Sequence, residues 1–255
     1  MKKFIYTMTA VIAFSLVFKS CDKDPKEENG VKKLPSKITI TWTSDAHTRT
    51  EWTFKYDDLN RLTDFIRISG GINTAKIEYD ANNRLSKITT FSSWGDRSEV
   101  STVQYVGNNQ IIITSDWGTE VITLNANGQM TKLVWIDEDY VNDFTYTDGN
   151  LMQAYIEEDY IHYSYSTVLN VFRYATNPDW LLFWIDEFGE IFSPPSKNML
   201  AKSAIYYDDD DFQEWAFSQY QTDSDGYVSS CKVVETNGRG YTEELIMTFE
   251  YVSAK

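Results

Sequence analysis

The chain has 255 residues, a formal net charge of −15, 42% hydrophobic residues and 15% aromatic ones. So acidic a chain has no basic stripe to neutralise phosphates, which excludes nucleic acid as a partner and argues against docking on anionic lipid through the folded surface. Two cysteines and two histidines are too few for a zinc site built from those residues, and nothing in the sequence calls for a cofactor.

At the start of the chain, Lys2 and Lys3 precede an apolar run from Phe4 to Phe18. The run is short for a membrane span, so residues 1–20 are expected to be a signal peptide. Phe18-Lys-Ser-Cys21, followed at once by Asp22-Lys-Asp-Pro-Lys-Glu-Glu-Asn-Gly30, resembles a bacterial lipoprotein signal. That resemblance implies cleavage before Cys21, acylation of its thiol and a lipid anchor in the outer membrane. The alternative is an ordinary secretory signal with an incidental cysteine. Residues 21–35 are expected to be the lipidated cysteine and a disordered tether, and residues 36–255 a single all-β repeat domain. Acidic residues just after the cysteine resemble the surface-export signals of Bacteroidetes lipoproteins, which implies the cell surface or the periplasmic face of that membrane.

From Ser36 onward the dominant period is two. Ile38, Ile40 and Trp42 alternate with polar residues, as do Trp52, Phe54 and Tyr56, and then Ala75, Ile77 and Tyr79. Each run predicts a half-buried antiparallel strand with one wet face. One phrase recurs: Phe54-Lys-Tyr-Asp-Asp-Leu-Asn-Arg-Leu62 and Ile77-Glu-Tyr-Asp-Ala-Asn-Asn-Arg-Leu85, with eroded copies near Tyr105, Leu124, Tyr146 and Tyr251. A repeat this short cannot bury its own apolar face, so copies have to join one continuous sheet. Counting strands of 5 to 8 residues between turns gives on the order of 14 to 18, more than an open sheet carries without closing. The expected fold is a closed or nearly closed antiparallel β-meander, filled and water-soluble, with its apolar face inward.

One segment breaks the alternation. Tyr174 to Phe188 is aromatic, and Pro178 and Asp179 are helix-start signals ahead of an apolar run. A short helix-containing cap or plug at one end of the rolled sheet is expected, with Ser193 to Leu200 returning the chain to strands. Ser196 and Asn198 are expected to tie backbone groups of that return.

The phrase Tyr56-Asp-x-x-Asn-Arg-Leu62, with its second copy at Tyr79 to Leu85, resembles the YD repeats of Rhs-type proteins, whose strands wind into β-shells. Lipoprotein signal, tether, hairpins, Asn177-Pro178 before an apolar helix, Ser196-Lys-Asn198 and a final Phe249-Glu-Tyr251 strand together resemble an uncharacterised family of Bacteroidetes lipoproteins. The resemblance implies a porin-like β-fold and no particular activity. A channel is not expected, because the alternation gives no continuous apolar outer band.

No catalytic motif is found, and no catalytic residue is assigned. Cys231 alternates with Tyr227 and Val233 and reads as a buried thiol. The run Asp208 to Asp211 lacks the spacing of a calcium loop and reads as a charged turn. The aromatic residues carry the functional hint. Trp94 and Trp117 fall at turns, and Trp180 and Trp184 in the helix, which makes these four the candidate ligand platform. The expected role is non-catalytic binding of a glycan or peptide at the outer membrane, as an accessory to a surface or uptake complex. Two alternatives stay open: an envelope scaffold with no small ligand, and a carboxylate-dependent glycan hydrolase with two facing acids.

Overall fold

The computed structural model describes residues 31–255 apart from 46–47, 139, 157–158, 177–179, 187–195 and 209–210, and for Asp186 and Asp208 the backbone alone. The expected signal peptide, Cys21 and the expected tether as far as Gly30 lie outside the described residues, as do Pro178 and Asp179. Among the described residues the period-two alternation becomes sixteen strands. They begin with β1 (Lys33–Trp42), β2 (Arg49–Tyr56), β3 (Leu62–Ile68), β4 (Ile72–Tyr79) and β5 (Leu85–Ser92). Next come β6 (Arg97–Val106), β7 (Gln110–Ser115), β8 (Gly118–Leu124), β9 (Met130–Trp135) and β10 (Tyr140–Thr147). After β11 (Asn150–Ile156) and β12 (Asp159–Leu169) the chain makes one short helix, α1 (Leu181–Asp186). It ends with β13 (Asn198–Asp208), β14 (Asp211–Thr222), β15 (Val228–Asn237) and β16 (Thr242–Ser253).

Every strand pairs antiparallel with its sequence neighbours, and β16 pairs with β1 from Lys33↔Ser253 to Trp42↔Leu245, so the meander closes into a barrel. Closure removes the sheet edges that would otherwise recruit other chains. Strands of up to 12 residues exceed the 5 to 8 expected. In β12 and β14 the extra length includes bulges, between Ser164 and Tyr165 and between Ser218 and Gln221, which break the alternation without ending the strand. The barrel also starts earlier than expected. Lys33 to Pro35 belong to β1 rather than to a tether, with Leu34 at 1% exposure.

The repeated phrase has a physical meaning at the barrel end where even-numbered strands finish. Asp57 accepts hydrogen bonds from the Leu59 and Arg61 amides at 2.9 and 3.0 Å, and Asp80 repeats this with Asn82 and Arg84. Asn60 and Asn83 take the left-handed conformation that closes the turn, at φ 62° and 64°. Tyr79 then reaches across to donate its hydroxyl to the Leu62 carbonyl at 2.9 Å, and Tyr56 does the same to Pro35. Tyr165, Tyr220 and Tyr251 likewise donate to Leu151, Leu200 and Val228, each at the start of the preceding strand. Burial pushes the Tyr56, Tyr79, Tyr220 and Tyr251 phenols well above their ordinary range. Arg61 covers the Tyr79 ring at 4.1 Å, and Arg84 covers Tyr105 at 4.9 Å. Each turn is thereby latched to the next.

A sixteen-strand ring encloses more space than its own side chains can fill. The connection between β12 and β13 fills part of it. Val171, Phe172, Trp180, Leu181, Leu182 and Phe183 are all buried within the one apolar core. Phe172 meets Phe54 edge-on at 5.3 Å and Phe183 meets Phe144 at 5.1 Å, both partners facing inward from the wall. The helix is therefore an internal plug rather than an outer cap. Burying large side chains of this kind contributes about 1.5–3 kcal/mol each. Its return is tied down as expected of Ser196 and Asn198: the Leu151 amide donates to Ser196 Oγ at 2.9 Å, and Asn198 Nδ2 donates to the Val168 carbonyl at 3.4 Å.

The outer wall carries ion pairs between neighbouring strands, including Lys37 with Glu51 at 2.9 Å and Lys87 with Glu78 at 2.6 Å, and also Lys202 with Glu214 and Lys232 with Glu244. A face of this kind suits water rather than lipid. Inside, Cys231 is 2% exposed, and burial pushes its thiol up to about 12. Such a thiol stays protonated and inert.

Candidate ligand cavity

Toward the other end of the barrel, where odd-numbered strands finish, the inward register changes character. Lower in the wall it is Phe65, Ala75, Ile88, Ile122 and Phe144; one or two steps on it becomes Arg67, Asn73, Thr90, Glu120 and Asn142. Direct cross-strand neighbours carry the change around the ring: Arg67↔Asn73, Asn73↔Ser92, Ser92↔Arg97, then Glu120↔Trp135 and Trp135↔Tyr140. Polar side chains at these positions leave the interior unfilled, and a cavity of about 860 Å³ results, with Phe183, Trp184 and Ile185 of α1 in its wall. That volume is in the range of small-molecule sites.

Of the four tryptophans proposed from sequence, Trp117 and Trp184 line this cavity. Trp117 is 56% exposed at the rim, where the Arg97 guanidinium lies 3.3 Å over its ring. Trp180 is 1% exposed and belongs to the core. Trp94 is 74% exposed and does not line the cavity; its ring covers the β3–β4 turn, 3.5 Å from where a side chain on Gly70 would begin. Gly71 leaves room for the Trp94 indole nitrogen, which any side chain there would strike.

The acids sort by position. Asp137 is used locally, accepting from the Thr119 amide at 3.0 Å. Glu99, Glu120, Glu138 and Asp159 line the cavity. Trp184 Nε1 donates to Glu120 Oε2 at 2.5 Å. Burial raises the Glu120 carboxyl above the ordinary carboxylate range; the indole N–H works against the shift and neighbouring Glu99 adds to it. Buried atoms of the lining that have no hydrogen-bond partner among the described residues include Asn73 Oδ1, Tyr140 Oη and Asn142 Oδ1. Native interiors leave few polar atoms in that condition, and a ligand is one thing that satisfies them. Among the described residues, no group of three or more acids, histidines or cysteines is placed to hold a metal.

Sequence reasoning missed Glu120 and Asn142. Their signal was present: each sits in the phase of an inward apolar residue, Ile122 and Phe144, two positions on.

No family model and no curated protein matches the chain. Among solved structures, a porin-like protein from Bacteroides uniformis is similar at 16% identity with a TM-score of 0.50, over 85% of this chain and 98% of that one. A porin-like protein from Bacteroides vulgatus is similar at 11% identity with a TM-score of 0.39, over 86% of this chain and 99% of that one. The first likeness shows the fold that the sequence led us to expect, a closed porin-like β-meander.

Proposed function

We propose that this protein is a lipid-anchored, non-catalytic binding protein of the outer membrane whose cavity takes a carbohydrate. The observation that carries the reading is the cavity itself. It combines aromatic rings (Trp117, Trp135, Tyr140, Trp184) with buried polar atoms that lack partners. Sugar rings present apolar C–H faces that pack on aromatic rings, and hydroxyls that satisfy such atoms. Peptide binding and a purely structural role are the competing outcomes. The test is binding of the purified chain to a broad glycan array, with Trp184→Ala and Trp117→Ala alongside. Binding that falls about tenfold or more in Trp184→Ala supports the reading. A chain that binds no glycan, or binds equally well without these rings, overturns it. The anchor has its own test: Cys21→Ala releases the protein from membranes, and retention would refute it.

One observation favours a second reading, the glycan hydrolase. A carboxyl whose acidity is weakened by burial beside a second acid is the environment of a general acid, and Glu120, raised above the ordinary carboxylate range beside Glu99, fits it. Turnover of a glycan found on the array, abolished by Glu120→Gln, would decide for it.

A further inference from the structure

The partners missing from the cavity are mostly of one kind. Asn142 is 5% exposed and its Oδ1 has no partner among the described residues; on half-buried Asn73 the Oδ1 atom is likewise buried without one. Glu120 holds the Trp184 indole with one oxygen and has a second to offer. Neither Glu99 nor Glu120 forms an ion pair among the described residues. These groups are acceptors. The lining sets four carboxylates, Glu99, Glu120, Glu138 and Asp159, against two guanidiniums, Arg67 and Arg97. Arg97 is directed onto the Trp117 ring. Glu120 is buried and repelled by neighbouring Glu99, and a cation between the two relieves both the repulsion and the burial of Glu120. An ammonium group brings three donors and no acceptor, which complements this set, and aromatic faces such as Trp184 and Trp135 favour a cation nearby.

Resting on the carbohydrate reading above, we infer that the ligand is a sugar bearing a free amino group. Its ammonium sits between Glu99 and Glu120 within reach of Asn142 Oδ1, and its ring lies against Trp184.

The test is calorimetric titration of the purified chain, at physiological salt, with glucosamine, N-acetylglucosamine and glucose oligomers of equal length. Glu120→Gln is titrated in parallel, with its melting point measured to show that it folds. Loss of one charged hydrogen-bond pair in such a site corresponds to about tenfold or more in affinity. The expected result is that the glucosamine oligomer binds at least tenfold tighter than the other two and that Glu120→Gln erases the preference. If the acetylated or neutral oligomer binds as well or better, the amino-group inference falls and the carbohydrate reading stands. If none binds, the amino-group inference falls, and the glycan array decides the carbohydrate reading. If the preference survives Glu120→Gln, the assignment to this pair of acids is overturned in favour of attraction by the chain's overall negative charge.

Discussion

Tyr79→Phe isolates one latch of the barrel. The phenol donates to the Leu62 carbonyl at 2.9 Å, while its ring is covered by Arg61 at 4.1 Å. Phenylalanine keeps the ring and the cation contact and deletes only the hydroxyl. A hydrogen bond of this class contributes about 0.5–1.5 kcal/mol net, and the Leu62 carbonyl, left behind partly buried, holds the loss near the middle of that range. In a domain of this size, 1 kcal/mol lowers the melting point by about 2–4 °C. Thermal unfolding followed by circular dichroism measures that directly. The same change at Tyr251, which donates to Val228 at 2.6 Å on the far side of the β1–β16 closure, is expected to cost a similar amount. The double variant should show the sum, because the two sites share no partner. A melting point within about 1 °C of the parent in the double variant would refute the reasoning. Water would then replace the hydroxyls at no cost, and the repeat's tyrosines would act through their rings alone.

Trp180→Ala is expected to lose about 3–5 kcal/mol, since it hollows out the plug, whereas Trp117→Ala at the exposed rim stays within about 1 kcal/mol; urea midpoints compare the two. Ser196→Ala orphans the Leu151 amide and should cost about 1–3 kcal/mol in the same assay. Glu120 has a folded-state carboxyl raised above its ordinary 4.5. Its contribution to stability is therefore complete below that value and lost as pH rises through the folded one. Glu120→Gln should show a shallower decline in stability with pH above 4.5 than the parent, and equal slopes would count against a desolvated carboxyl at that position.

The fold was largely legible because each local signal agreed with the others. The Ile38–Ile40–Trp42 alternation, the Asp-x-x-Asn turns and the tyrosines near the ends of β2, β4, β6 and β10 all specify the same hairpin, and a run of such hairpins has to close. The start of β1 was less legible, because Pro35 reads as a strand breaker. In the structure it lies at a bulge, with its carbonyl held by Tyr56. The plug was read as a cap or a plug because sequence gives no measure of the lumen to be filled. The cavity was harder still. Polar residues look alike whether they face water outside or space inside, and only strict strand phase places Glu120 with Ile122. Turn tryptophans are ambiguous for the same reason: Trp94 folds over a hairpin and Trp117 turns inward, and nothing in their neighbours distinguishes the two.

The pairing of Lys33 with Ser253, backed by the Ala254 amide donating to the Lys32 carbonyl at 2.8 Å, gives the hydrogen-bonded ring no seam. Any hairpin turn is then topologically equivalent to the place where the ends now meet. A circular permutant opened at the β6–β7 turn, where a side chain on Gly107 would meet nothing within 4 Å, would keep every ladder intact. The same equivalence makes the hairpin the unit of growth. Adding or deleting one widens or narrows the ring by two strands and leaves every other pairing as it was. What must then be readjusted is the content of the lumen, so the plug between β12 and β13 and the rim facing it are where relatives of different girth should diverge most.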